Sequence, residues 1–402
     1  MESIKMKRWG YLACGAVIFL FLGVLYAWSL FAGPLEARFG WQRSQTSMVF
    51  TMTMLMFGTG NVVGGFLSRR KTIHFYVRVS APLFFIGFML ASFVTQVWQL
   101  YFTYGLFCGF AVGFSYTPMV NAIAQWFPDK PGTVSGVLML AFALSTPVIG
   151  TPIARLFEWI GIENTFRVMG VVFPALLLVL AHFIKIPGAD TVFPEPKKRK
   201  KDRPSISAEV DMPPKQVVRR PSFYLFILWQ IGILTAGFAT IGHAATSAAS
   251  IGASVALATL AASVLSLSNG VGRPIFGYLS DRLGFHRVRI LTCLITLFGY
   301  GVCLLALNIK SVPLLIVGFM LVGIAYGGTV SNAAAFFRGM YGAKYFGANY
   351  GLSFVNNIPT AVIGPPIMAA VYTAAGSYYP AFWTVIALAA IGTLFALVIR
   401  KP

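Results

Sequence analysis

Apolar runs of about twenty residues recur along this chain from near its first residue to its last. Each is long enough to cross the roughly 30 Å hydrocarbon core of a bilayer as a helix. In that medium the backbone has to bond its own amides and carbonyls, so the spanning form is a helix or a closed barrel, and runs of this length are helical. Twelve spans are read: 10–32, 47–67, 75–95, 99–125, 133–157 and 164–184, then 223–247, 254–279, 288–307, 312–337, 347–372 and 379–399. The fold class expected is an all-α membrane protein with two pseudo-symmetric six-helix bundles, at 1–185 and 223–402. Between them, 186–222 carries PEPKKRKKDRPS and MPPKQVVRRPS and reads as a basic, Pro-rich linker. A soluble domain, with about 25% charged residues, is excluded by a chain that has 10%.

The N-terminal MESIKMKRWG and its apolar run resemble a signal peptide. The run is too long for one and lacks a small-residue cleavage site, so it reads as an uncleaved first helix. The net charge of +20 sits in the short links between spans. One side collects Lys5, Lys7, Arg8, Arg69, Arg70, Lys71, the linker, Arg282, Arg287, Arg289, Lys344, Arg400 and Lys401, whereas the other keeps Arg38, Arg43, Arg155, Arg167 and Lys310. This positive-inside bias puts both termini and the linker in the cytoplasm and argues against nucleic acid as the partner. The linker's charge run reads as a solvated loop, with anionic lipid as its alternative ligand. Cys14, Cys108, Cys293 and Cys303 all lie in spans without metal-ligand spacing, and read as small buried hydrophobes. No metal or cofactor is expected.

The halves repeat each other. Gly60-Asn-Val-Val-Gly-Gly-Phe-Leu-Ser-Arg-Arg70 aligns with Gly272-Arg-Pro-Ile-Phe-Gly-Tyr-Leu-Ser-Asp-Arg282, an offset of 272 − 60 = 212. Gly109-Phe-Ala-Val-Gly113 aligns with Gly323-Ile-Ala-Tyr-Gly327, and Val148-Ile-Gly-Thr-Pro-Ile153 with Val362-Ile-Gly-Pro-Pro-Ile367, both at 214. Parallel repeats of six helices are the internal symmetry of the major facilitator transporters, which the chain resembles. The resemblance implies two bundles that rock about a site held between them. The stretch Gly277-Tyr-Leu279-Ser-Asp281-Arg282-Leu-Gly284 also resembles that superfamily's cytoplasmic loop signature. By that resemblance Gly277, Asp281, Arg282 and Gly284 form a gate motif whose charges pair across helix ends. Its N-terminal copy has Arg69 where the aspartate would stand.

Arg273 lies eight residues before Asp281, or roughly 12 Å along a helix, near the bilayer midplane. A charge there costs roughly 2.5–3.5 kcal/mol even on the lenient insertion scale, so it persists where it faces a cavity or a partner. No Asp or Glu lies in the middle of any span, and an anionic substrate is the expected counter-charge. A guanidinium grips a carboxylate with two parallel hydrogen bonds; the competing reading is an arginine snorkelling to the interface. Asn269 stands one turn away on the same face. Asn356 and Asn357, mid-depth in the eleventh span, and Tyr116 and Tyr326 in the fourth and tenth are candidate substrate neighbours, each with helix packing as its alternative. Asn61 is the repeat counterpart of Arg273. His243, near the outer end of the seventh span, is a proton-coupling candidate together with Arg273, because an imidazole titrates near neutrality. His74, His182 and His286 receive no role.

At Asn269-x-x-x-Arg273 the chain resembles the monocarboxylate transporters of animals, which have Asp-x-x-x-Arg there. Val24-Leu-Tyr26-Ala27-Trp28-Ser-Leu30 is similar to that family's first helix, with Leu30 where the family has a substrate-linked lysine. Trp126-Phe127-Pro128-Asp129-Lys130-Pro-Gly132 and Tyr350-Gly351-Leu352-Ser-Phe354 through Ile363-Gly364-Pro365 resemble the bacterial oxalate/formate antiporter branch. In that branch a lysine on the eleventh span pairs with the span-eight arginine, and Asn357 occupies its position here.

These resemblances imply a bacterial inner-membrane protein, monomeric, that moves a small monocarboxylate with a proton. One buried cation matches one carboxylate, since a dicarboxylate would leave an uncompensated charge. Lactate is expected first, then pyruvate-like acids. Anion exchange of the oxalate/formate type is the alternative, and a non-transporting membrane sensor a further one. An exporter of apolar cations conflicts with Arg273, and no nucleophile–base pair suggests an enzyme.

Overall fold

Satisfying every backbone group without water produces, in a computed structural model of the chain, twelve helices among the described residues that are long and apolar enough to cross a membrane. The structure describes residues 2–188 and 211–399. The helices are α1 (Lys7–Phe39), α2 (Gln45–Leu67), α3 (Ile73–Ala91), α4 (Val97–Ala124), α5 (131–160), α6 (162–183), α7 (Pro221–Ser250), α8 (Val255–Leu283), α9 (Phe285–Asn308), α10 (Val312–Tyr341), α11 (Phe346–Ala375) and α12 (Tyr378–Val398). Most of the expected linker, 189–210, and also Arg400 and Lys401, lie outside the described residues. The C-terminal part of the linker does have structure: the Lys344 amide donates to Asp211 at 3.0 Å, and the Met212 amide to the Tyr341 carbonyl at 3.0 Å.

Several helices are interrupted. A 3-10 turn at Gly23–Ala27 breaks α1, a π-helical stretch at Tyr101–Cys108 opens α4, and a second 3-10 turn at Phe354–Asn356 breaks α11. Gly161, at φ 78°, reverses the chain between α5 and α6, a conformation that glycine adopts without strain. Helix α1 outlasts the expected end at 32 because the polar residues of its final turns find partners. The Thr46 hydroxyl donates to Glu36, and Arg38 pairs with Glu163 at the start of α6.

The chain divides into two compact units, Met1–Pro204 with Tyr345–Val355, and Ser205–Lys344 with Asn356–Pro402. In the first, α2 and α4 pack backbone to backbone. A Cβ on Gly113 would lie 2.1 Å from the Phe57 carbonyl oxygen and 2.9 Å from the Asn61 amide nitrogen. In the second, a Cβ on Gly327 of α10 would lie 2.1 Å from the Asn269 carbonyl oxygen and 3.1 Å from the Arg273 amide nitrogen of α8. Phe57 and Asn61 are offset from Asn269 and Arg273 by 212. The repeated glycines are therefore one helix–helix contact made twice, of the small-residue kind that lets membrane helices approach closely.

The start of α11 belongs to the first unit for a similar reason. Gly351 faces the Asn61 carbonyl, Gly65 faces that of Gly347, and Arg69 lies 4.3 Å over the Tyr345 ring. At the end of the first unit that holds the N-terminus, Arg8 forms a buried ion pair with Asp129 at 2.9 Å and stacks over Phe127. Arg289 differs from its expected place among loop charges. It is 3% exposed within α9, with Nη2 donating to the Ile399 carbonyl at 3.3 Å.

Candidate substrate site

The close approach of α10 to α8 fixes where Arg273 begins. Gly327 removes the Cβ that would hold the helices apart, and Gly272 does the same against the Ile324 carbonyl. Arg273 leaves this seam with 3% exposure, so its side chain reaches neither lipid nor the aqueous interface. That burial excludes the snorkelling form. Asn269, one turn away, is half-buried, and its Oδ1 has no hydrogen-bond partner among the described residues.

Residues 326–329 of α10 form a strip that α7 contacts, and α11 reaches α7 beside it. The Tyr326 ring lies over Gly237 of α7, where a Cβ would be 2.1 Å from its Cδ2, and it meets Phe238 edge-on at 6.0 Å. Gln230 of α7 donates from Nε2 to the Thr329 carbonyl at 3.2 Å. Its Oε1 accepts from the Asn356 side-chain amide, and the Thr360 hydroxyl donates to the Asn356 carbonyl at 2.6 Å. The two asparagines of α11 thus separate in role. Asn356 is 3% exposed and spends its amide on Gln230, whereas Asn357 is half-buried as the helix resumes after the 3-10 turn. Gln230 itself escaped the sequence reading. Its only signal was a lone amide in the apolar run Phe226–Ile233.

The first unit holds the other candidates. Tyr116 is enclosed by Phe19, Phe57, Phe142 and Phe354, with ring centroids 4.8–5.6 Å away. Asn61 is fully buried; it donates to the Phe57 carbonyl at 2.9 Å and accepts from the Thr117 hydroxyl at 2.6 Å. Leu30 lies against Gly150 of α5.

His243 contacts groups on two other helices. Nε2 is 3.1 Å from the Pro365 carbonyl of α11, and Nδ1 is 3.2 Å from the Tyr378 hydroxyl of α12. A carbonyl only accepts, so Nε2 carries a hydrogen and Nδ1 accepts from Tyr378 in the neutral ring. The Tyr378 hydroxyl is also 2.7 Å from the Thr246 hydroxyl, and Thr246 lies 3.1 Å from the His243 carbonyl. A second proton on the ring reverses these bonds without orphaning one: Nδ1 donates to Tyr378, Tyr378 to Thr246, and Thr246 to the His243 carbonyl.

At the gate motif, Gly284 has φ 88°, which explains the glycine after Asp281 and Arg282. Asn332 ties the turn down with a 3.0 Å bond to the Phe285 carbonyl. Asp281 interacts electrostatically with Arg338 of α10, and Arg282 lies over the Tyr278 ring at 5.0 Å. The N-terminal copy makes the Arg69–Tyr345 stack instead.

A guanidinium buried away from bulk water, as in Arg273, is a group able to hold a small anion by paired hydrogen bonds. The sequence model of the Major Facilitator Superfamily matches residues 11–248 and 232–402. The chain is 23% identical over 378 residues to the oxalate:formate antiporter of Oxalobacter formigenes, covering 91% of this chain and 85% of that protein. It is 25% identical over 321 residues to monocarboxylate transporter 10 of Homo sapiens, covering 76% of this chain and 60% of that one. The structure superposes on that of the transporter FucP in the outward conformation with a TM-score of 0.70 at 16% identity, covering 97% of this chain and 99% of the other.

Proposed function

The chain belongs to the Major Facilitator Superfamily, and from that premise we propose that it moves a small monocarboxylate across its membrane by alternating access, together with a proton. It is a membrane transporter and not an enzyme. The observation that carries the substrate class is the burial of Arg273 within α8, at 3% exposure, in a protein whose spans have no carboxylate at mid-depth. A guanidinium is always charged, and it holds one carboxylate in bidentate fashion. A second carboxylate would need a second cation, and Asn357 stands where the oxalate/formate branch is expected to have one. Lactate is the first substrate and pyruvate-like acids follow, with Asn269, Tyr326 and Asn357 as neighbours for the hydroxyl or keto oxygen. The names of the oxalate:formate antiporter and of monocarboxylate transporter 10 support a carboxylate as cargo.

For the proton, His243 offers a ring whose hydrogen bonds to Pro365 and Tyr378 remain satisfied in both charge states. The competing mechanism is anion exchange, in which empty Arg273 hinders the return step. It is favoured by the lack of a carboxylate at mid-depth and by the likeness to the oxalate:formate antiporter. The deciding experiment imposes an inward proton gradient on proteoliposomes free of internal substrate. Uphill uptake of labelled lactate supports symport. Uptake seen only with internal anion overturns symport in favour of exchange. If no short monocarboxylate in a competition panel slows uptake of any labelled acid, the substrate class is wrong.

A further inference from the structure

On the first unit, α3 and α6 pack side by side and leave a cleft of about 60 Å³ between the start of one and the end of the other. Its lining is His74, Val77 and Arg78 from α3, with Leu178, Ala181 and His182 from α6. Each helix contributes positions i, i+3 and i+4, so each set is one face. The volume exceeds what a single water needs. His74, Arg78 and His182, of which Arg78 and His182 are exposed, are among its lining residues, and no acidic residue lines the space. Among the described residues, none of these three side chains forms an ion pair.

We propose that this cleft holds the phosphate of an anionic phospholipid. Three features select a lipid over free phosphate. The floor of the cleft, Val77, Leu178 and Ala181, is apolar and continues away from the helix end onto the outer face of α6, where Leu178, Val172 and Val171 are 43%, 42% and 53% exposed. With α6 as a membrane span, that face meets hydrocarbon, and acyl chains can lie along it. His74 and His182 lie within two residues of their helix ends, and Arg78 lies one turn deeper, roughly 6 Å along the axis. That depth is the headgroup region, where basic pockets between membrane helices take lipid headgroups. The cleft is also at the end of α3 next to Arg69, Arg70 and Lys71, the side that the charge bias assigns to the cytoplasm. The inference is independent of the transport reading.

Native mass spectrometry of the purified full chain tests it, with phosphatidylglycerol and phosphatidylethanolamine as competing probes. The triple variant His74→Gln/Arg78→Gln/His182→Gln should keep about fivefold or more fewer phosphatidylglycerol adducts than the parent, as expected from roughly one lost basic contact. Arg78→Gln alone, at an exposed position where the fold tolerates change, should show part of that loss. Lys215→Gln/Arg219→Gln/Arg220→Gln removes three exposed cations elsewhere and should keep its adducts. Equal retention by the cleft variants, or an equal loss in the control, overturns the proposal in favour of diffuse charge. Displacement of the adducts by millimolar inorganic phosphate overturns the lipid as the natural occupant.

Discussion

Replacing Gly327 by alanine tests whether the seam between α8 and α10 sets the place of Arg273. The added Cβ would lie 2.1 Å from the Asn269 carbonyl oxygen, where real Cβ contacts do not fall below 3.0 Å. The obstacle is a helical backbone carbonyl, which cannot rotate away as a side chain would. Relief therefore requires α8 to move by roughly 1 Å, and Arg273, whose own amide is 3.1 Å from the same Cβ, moves with it. Overpacking of this kind costs about 1–3 kcal/mol of stability. A misplacement of about 1 Å in a group that positions substrate lowers turnover by up to roughly 100-fold. In proteoliposomes supplied with the best acid of the competition panel, Gly327→Ala should reduce initial uptake by about ten- to 100-fold while the protein still unfolds cooperatively on heating. Gly301→Ala, whose Cβ meets nothing within 4 Å, is the matched control and should transport normally. Uptake by Gly327→Ala within about twofold of the parent would refute the claim that this contact places the arginine.

Arg273→Lys should lose most transport, by about tenfold or more, because an ammonium lacks the planar fork; retained uptake in Arg273→Ala removes the residue from the mechanism. Asn357→Lys should shift preference toward dicarboxylates, read as stronger competition by oxalate, and unchanged competition counts against its placement beside the substrate. Gln230→Leu leaves the buried Asn356 amide without its acceptor and should lower stability by about 1–3 kcal/mol in a thermal unfolding assay; an unchanged unfolding curve contradicts a structural role for that bond. His243→Gln should abolish uptake driven by the proton gradient but spare exchange of internal for external anion, and loss of both would make His243 structural.

The parts of the fold that were legible in the sequence are those with a local chemical demand. Twelve spans were readable because the bilayer requires long apolar runs, and the end of α8 because a glycine with positive φ follows Asp281 and Arg282. The repeat was readable because the α2–α4 and α8–α10 seams need glycine at fixed places. Contacts that join distant positions left no such mark. Gln230 and Asn356 meet across 126 positions, and His243 and Tyr378 across 135, without any periodicity to announce them. The same holds for the burial of Arg289, which sits near a charged loop in sequence and bonds the far end of α12 in space.

Helix α11 begins in one compact unit and ends in the other. Proteolysis within 189–210 would therefore not yield two self-sufficient fragments. The piece ending at 188 would lack Tyr345–Val355, and the glycine-lined groove on α2 at Asn61 and Gly65 would lie bare. A nicked chain should stay non-covalently joined through that borrowed stretch, and the first fragment produced alone should be degraded faster than when its complement is made beside it.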